Sequence, residues 1–239
     1  MESLRTGAAE KLGIRLSQTQ LDQFHRYYLE IVDWNSRINL TSVTGWEQVQ
    51  TWHFLGSLAV SAAFPPGLTG SGGKVLDVGS GAGLPGLPIK IAFPMLSVTL
   101  LEATAKKTAF LAHVTALLGL GDVEVVTARA ETLAHDPTHR EGYDVVLARG
   151  VARLAALAEL TLPFCRLGGV AVAHKGRDVE NEIRQAGTAI ASMGGRLAGI
   201  VRGTAEDPAA AGPLVVLEKV GPTPERYPRR PGIPAKRPL

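Results

Sequence analysis

The stretch Lys74-Val-Leu-Asp-Val-Gly-Ser-Gly-Ala-Gly-Leu-Pro-Gly-Leu-Pro88 limits what this chain can fold into more than any other. A short apolar strand, residues 75–78, runs directly into Gly79, Gly81 and Gly83. Glycines at a strand-to-helix turn admit positive φ and let the backbone approach a ligand closely. Asp77 sits inside that strand, two residues before the first glycine. A carboxylate there repels a pyrophosphate but suits a cationic ligand with an amino group, such as S-adenosylmethionine. Glu102 follows a second apolar strand, 96–101, where an acid accepts hydrogen bonds from a ribose diol. The two acids together read as a nucleoside cofactor site of the methyltransferase kind.

Two other readings compete. Gly81-Ala-Gly83-Leu-Pro-Gly86 formally satisfies the dinucleotide fingerprint G-x-G-x-x-G, with Glu102 near the expected spacing. Asp77 would then stand close to the phosphates, which weighs against it. The blandest reading is a turn that merely lets helix and strand pack tightly. The strand–turn–helix context favours the methyltransferase reading over both.

After Lys74 the pattern alternates strand and helix, which argues a parallel sheet. Strands are expected over 75–78, 98–102, 123–127, 145–148 and 170–174, and a helix over 179–193. Residues 196–201 and 214–218 read as an antiparallel pair closing the sheet, joined by the loop 206–213. Before this core, Leu21, Phe24, Tyr28, Ile31 and Val32 recur at helical spacing, and residues 35–41 break that helix. A second helix is expected from about 47 to 63, stopping before Pro65-Pro66. The expected fold is α/β: a doubly wound, mostly parallel, seven-stranded Rossmann-like methyltransferase sheet with an N-terminal helical extension. Its divisions are the extension, 1–66; the S-adenosylmethionine-binding core, 67–221; and a basic, proline-rich tail, 222–239. From Tyr227 the tail carries Arg229, Arg230, Lys236 and Arg237 and no acid, and its prolines predict an extended chain without helix.

Composition excludes several classes. With 239 residues, 45% apolar and 20% charged, the chain has the make-up of a soluble globular protein. Gly, Pro or charge interrupts every apolar run, so no membrane span is expected, and the polar start offers no secretory signal. The single cysteine, Cys165, excludes an intramolecular disulfide and reads as core filler. The histidines show no metal-ligand spacing, so no metal centre is expected. A cytoplasmic monomer is the expectation.

Polar residues gather at the predicted carboxyl ends of the strands, where a doubly wound sheet binds its ligand. The stretches that hold them are Asp77, Gly79, Ser80 and Gly81; then Glu102, Ala103 and Thr104; then Arg129, Ala130 and Glu131; then Arg149; then Lys175. Ala130 and Glu131 would lie beside an adenine ring, although Glu131 equally suits the first turn of a short helix. Arg149 emerges from an apolar strand near the cofactor, and an ion pair with Asp144 or Glu131 is an equal alternative. Lys175 is a candidate for contacting RNA phosphate. Methyl transfer from a sulfonium is an in-line displacement, so the enzyme's contribution is mostly positioning. A guanine ring nitrogen carries a free lone pair and needs no general base. Arg149 and Lys175 are the residues expected nearest the reacting base.

These motifs, taken together, resemble the bacterial small-subunit (16S) ribosomal RNA guanine-N7 methyltransferases over nearly the full length. The residues that carry the resemblance are Trp34-Asn-Ser-Arg-Ile-Asn39-Leu-Thr41, His53-Phe-Leu-Gly-Ser-Leu58, Leu76 through Gly86, Leu101-Glu-Ala-Thr-Ala-Lys-Lys107, Arg129-Ala-Glu131, Val146-Leu-Ala-Arg149, Lys175-Gly176 and Tyr227-Pro-Arg-Arg-Pro-Gly-Ile-Pro234. The resemblance implies methylation of one guanine at N7 in 16S ribosomal RNA or the small subunit, with S-adenosylmethionine as donor. It implies cofactor contacts from Gly79, Leu84, Glu102 to Thr104, Ala130, Glu131 and Arg149. Two positions depart from the family pattern: Gly56 stands where an acid is usual, and Gly150 where alanine is usual and where it is expected to loosen the setting of Arg149. The resemblance also turns the tail cations into RNA ligands, four contacts of which would give a salt slope of about −3 on single-stranded RNA.

Overall fold

The computed structural model describes residues 1–176, 178–202 and 212–239; positions 206–211 of the expected 206–213 loop lie outside them. Two helices open the chain, α1 (Glu2–Leu12) and α2 (Gln18–Asn35). Ser17 starts α2 through a capping box: its hydroxyl accepts from Gln20 N–H and the Gln20 side chain accepts from Ser17 N–H. The buried stripe of α2 is Leu21, Phe24, Tyr27 and Ile31, so Tyr27 takes the core position expected of Tyr28. The second expected helix is a continuous helical path in four segments: α3 (Trp46–Gln48), a π-helical segment Val49–Leu55, α4 (Gly56–Leu58) and a 3₁₀ segment Ala59–Ala63. The wider π turn buries Val49, Gln50, His53, Phe54 and Leu55 on one side, which regular helical spacing does not do.

After the short α5 (Leu68–Ser71), strands and helices alternate: β1 (Lys74–Val78), α6 (Gly86–Ala92), β2 (Ser97–Glu102), α7 (Ala105–Leu117), β3 (Val123–Thr127), α8 (Ala130–Leu133), β4 (Tyr143–Arg149), α9 (Leu154–Thr161), β5 (Cys165–His174) and α10 (Val179–Ser192). The antiparallel pair β6 (Gly195–Val201) and β7 (Leu214–Lys219) closes the sheet, whose strand order is β3-β2-β1-β4-β5-β7-β6. β1 to β5 run parallel and β7 is antiparallel to β5. The order reverses between β1 and β4, and in such sheets that reversal opens a crevice at the carboxyl ends of the strands.

Strand periodicity distributes the core onto two faces. Val75, Val98, Leu100, Val145 and Leu147 pack on one side with Leu4, Phe24, Phe54 and Phe110 from the N-terminal helices, the π segment and α7. Their strand neighbours Leu76, Leu101, Val146 and Ala148 pack on the other with Leu157, Phe164, Ala186 and Ile190. Cys165 is fully buried in that second face. No helix among the described residues is long and apolar enough to cross a membrane.

The tail departs from the expectation of an extended chain. It folds back over α8 and α9: Arg140 donates to the carbonyls of Ala134, Thr223, Pro224 and Tyr227. Residues Ile233–Lys236 form a helical turn, α11. Pro234 sits in its first turn, where no backbone N–H is needed, so proline is compatible with this helix.

Candidate active site

The site is built where β1, β2 and β4 end. Asp77 is fully buried; its Oδ2 accepts from Gly86 N–H at 3.0 Å, while Oδ1 has no partner. Burial pushes its carboxyl up to about 7, against the Gly86 N–H and the Arg149 charge that favour ionisation; Glu102 adds to the rise. The glycine turn brings backbone where side chains cannot go. Gly79 has φ +72°, and a Cβ there would lie 2.8 Å from Val151 Cγ2. A Cβ on Gly86 would lie 2.9 Å from Asp77 Oδ2, so only glycine lets α6 begin against that carboxylate. The N–H groups of Gly79 and Ser80 both donate to Leu101 O, at 2.8 and 3.0 Å, and lock the turn to the end of β2.

Glu102 braces the same turn from β2. Its Oε2 accepts from Gly81 N–H at 3.1 Å and its Oε1 from Thr104 N–H at 2.9 Å, which leaves acceptor capacity on both oxygens. Ala103 and Thr104 are exposed at the lip, and Leu84 is half-buried on the other side of the turn. From α2, the buried Tyr27 hydroxyl donates to Ala82 O and supports the turn from beneath. Burial and the Asp77 charge raise that phenol well above its ordinary value.

Arg149 ends β4 and pairs with neither Asp144 nor Glu131. Its Nη2 donates to Trp52 O at 2.9 Å and its Nη1 reaches Ser57 Oγ at 3.4 Å, so the π segment and α4 hold the guanidinium. Asp144 is engaged at the opposite end of β4 by Arg166 Nε at 2.6 Å and Lys74 N–H at 2.7 Å. Gly150 has φ +66°, a conformation glycine adopts without strain, and makes the turn after Arg149. Burial, and then the Arg149 charge, push His53 down to about 4 and His174 down to about 3, so both are neutral. His53 is tied to the N-terminal motif: its Nε2 lies 2.8 Å from Thr41 Oγ1, while Asn35 Oδ1 accepts from Leu40 and Thr41 N–H.

Three expected ligands are spoken for. Lys175 Nζ lies 2.7 Å from Glu182 Oε2 and 2.9 Å from Ala152 O, with its side chain 8% exposed; it ties the β5 end to α10 and is not free for phosphate. Arg229 makes a forked pair with the fully buried Glu159, at 2.6 to 3.1 Å, and so anchors the tail to α9. Glu131 stands in the first turn of α8, as its alternative reading has it, and its Oε1 accepts from Gly232 N–H at 2.8 Å. Ala130 is half-buried beside it. Arg230, Lys236 and Arg237 are exposed, without an ion pair among the described residues. Tyr27, Trp52 and Ser57 enter the site without having been expected there. The motif His53 to Leu58 marked their neighbourhood, but nothing in it announces a carbonyl acceptor for a distant arginine.

An unpartnered buried carboxylate oxygen beside a tight glycine turn fits a ligand that brings a cationic donor, and disfavours a diphosphate at the same place.

The chain is similar to known proteins over nearly its whole length. The family model described as rRNA small subunit methyltransferase G matches residues 20–208. The ribosomal RNA small subunit methyltransferase G of Dehalococcoides mccartyi is 50% identical over 228 residues, covering 95% of each chain. That of Roseiflexus castenholzii is 51% identical over 232 residues, covering 97% of each. A solved structure from Corynebacterium glutamicum, 18% identical, superposes with a TM-score of 0.52 over 92% of this chain and 97% of its own; that likeness is one of fold.

Proposed function

We propose a division of labour for this chain, which belongs to the rRNA small subunit methyltransferase G family. It is an S-adenosylmethionine-dependent methyltransferase of small-subunit ribosomal RNA, and the atom it modifies is N7 of a guanine. Asp77 takes the cofactor's amino group, and the orphaned Oδ1 in a fully buried setting is the observation that carries this reading. Arg149 suits the carboxylate of the same zwitterion, since its guanidinium stands within the electrostatic field of Asp77. Glu102 accepts from the ribose hydroxyls, Ala130 borders the adenine, and Gly79 to Gly81 with Leu84 admit the ligand against the backbone.

The cofactor supplies an electrophilic methyl group on a sulfonium. The chain's part is to align and enclose, because a guanine N7 carries its own lone pair and no side chain must take a proton from it. The neutral, buried His53 and His174 are consistent with a site that has no general base. Residues 1–66 act as an extension that fixes Arg149, 67–221 as the cofactor-binding core and 222–239 as the tail. Arg230, Lys236 and Arg237 offer charge to RNA phosphates, while Lys175 and Arg229 act as struts. The chain works as a monomer in the cytoplasm.

Incubation with labelled S-adenosylmethionine and small-subunit RNA lacking the modification tests this, with chemical cleavage at N7-methylguanine mapping the product. Label at one guanine is the expected result. A thermal shift with NAD and none with S-adenosylhomocysteine, or RNA binding with no incorporation, would overturn it.

A further inference from the structure

We propose that Trp52 is the base-stacking platform of the substrate site, its indole receiving a base of the RNA strand beside Arg149. The inference rests on the reading that this cleft methylates RNA. Three tryptophans occur in the chain, and two of them are packed. Trp34 lies against Phe110, with centroids 5.5 Å apart, and against His113; Trp46 lies against Tyr28 at 4.5 Å and His25 at 5.2 Å. Trp52 has no ring partner among the described residues and is 49% exposed, the one Phe, Tyr or Trp side chain among them on the exposed surface. Yet its backbone is not loose: Trp52 O accepts from Arg149 Nη2 at 2.9 Å, and the flanking π segment is buried on its other side. A bare indole is thereby mounted on a rigid support whose carbonyl holds the guanidinium that ends β4.

The surroundings fit a nucleic-acid strand. Val151, 37% exposed, lies over the glycine turn, its Cγ2 2.8 Å from where a Gly79 Cβ would stand. Exposed Arg153 follows, its guanidinium bonded to the neutral Gln185 side chain at 3.2 Å rather than to a carboxylate. An exposed aromatic ring on the segment that holds Arg149, with an apolar residue over the glycine turn, is what an unpaired base requires, since bases stack on such a ring, while Arg153 stands further along against α10.

The test is steady-state methyl transfer to small-subunit RNA by the wild-type enzyme and by Trp52→Ala, Trp52→Phe and Trp52→Leu, with S-adenosylhomocysteine affinity measured for each. Stacking is worth about 1–3 kcal/mol per base, so Trp52→Ala should raise KM for RNA by roughly fivefold to a hundredfold. S-adenosylhomocysteine affinity should stay within about twofold of wild type, which reports an intact fold. Trp52→Phe should restore KM to within about threefold and Trp52→Leu should not. An unchanged KM in Trp52→Ala, or equal rescue by leucine and phenylalanine, would overturn the proposal. If the alanine variant fails to fold, the phenylalanine–leucine pair decides alone. Should the wild type bind S-adenosylhomocysteine but transfer nothing to RNA, the functional reading fails. Stacking is then read directly: guanosine-rich single-stranded RNA should quench wild-type indole emission but not that of Trp52→Phe, and no quenching would sink it.

Discussion

Replacing Asp77 by asparagine should abolish the pH dependence of cofactor binding. Asp77 is fully buried and its carboxyl is pushed up to about 7, so the ligand-free enzyme holds a proton there through much of the neutral range. Accepting an ammonium requires that proton to leave. Affinity for S-adenosylhomocysteine should therefore climb about tenfold between about pH 6 and pH 8, steeply below 7 and levelling above it. The titratable groups around Arg149 and Asp77 that are shifted do not blur this. His53 and His174 titrate near 4 and 3, Tyr27 is pushed above its ordinary 10, and an arginine such as Arg149 stays protonated. Calorimetric titration across that range measures the climb, and Asp77→Asn reports any part due to the ligand's own groups. The same residue sets a stability trend in the ligand-free protein. Its folded value lies above the 3.8 of the unfolded chain, so its stabilising share is complete below about pH 4 and is lost as pH rises to about 7. That loss is on the order of 4 kcal/mol, from 1.36 kcal/mol for each tenfold change in proton affinity. Asp77→Asn should thus be more stable than wild type at pH 8 without ligand, yet bind it far more weakly. Wild-type affinity that is flat from pH 6 to 8, or an asparagine variant with the same climb, would refute the assignment.

Arg229→Ala should cost about 3 kcal/mol, read as a lower urea midpoint, because it leaves the carboxylate of Glu159 buried and unpaired. The same change should leave the salt dependence of RNA binding as it was. Neutralising Arg230, Lys236 and Arg237 together should flatten the slope of log affinity against log salt by about 2, and an unchanged slope would show that the tail does not meet phosphate. Gly79→Ala should remove the thermal shift given by S-adenosylhomocysteine, since its φ of +72° costs an L residue about 1–2 kcal/mol and its Cβ would meet Val151.

Much of the core was legible because its signal is local. Each central strand is a short apolar run, and β3 spans the expected 123–127. β5 begins five residues before the expected 170 because its opening residues, Arg166-Leu-Gly-Gly169, are mostly exposed and half glycine, without the apolar signature of a buried strand. Asp77 and Glu102 were legible for the same reason, each being a lone acid in an apolar strand or at its end. The π segment was not, because its buried set differs from a regular helix only after tertiary packing.

Which cations are free is a different kind of question, and local sequence does not hold the answer. Arg229 and Arg230 are adjacent and chemically identical, yet one is locked to an acid seventy positions away and the other faces solvent. Lys175 stands in a strand-end motif that invites a phosphate, but Glu182, one helical turn into α10, neutralises it. The reverse holds for Arg149: two acids were available to it by sequence, and it took a backbone carbonyl and a serine instead. Those choices leave its charge uncompensated by a contacting carboxylate, and its field reaches the buried Asp77, whose Oδ1 has no partner. Arg140 is likewise held by carbonyls alone, but it clamps the tail, whereas Arg149 stands at the strand ends within the field of a buried acid, and that place is the ground for proposing that its charge meets a ligand.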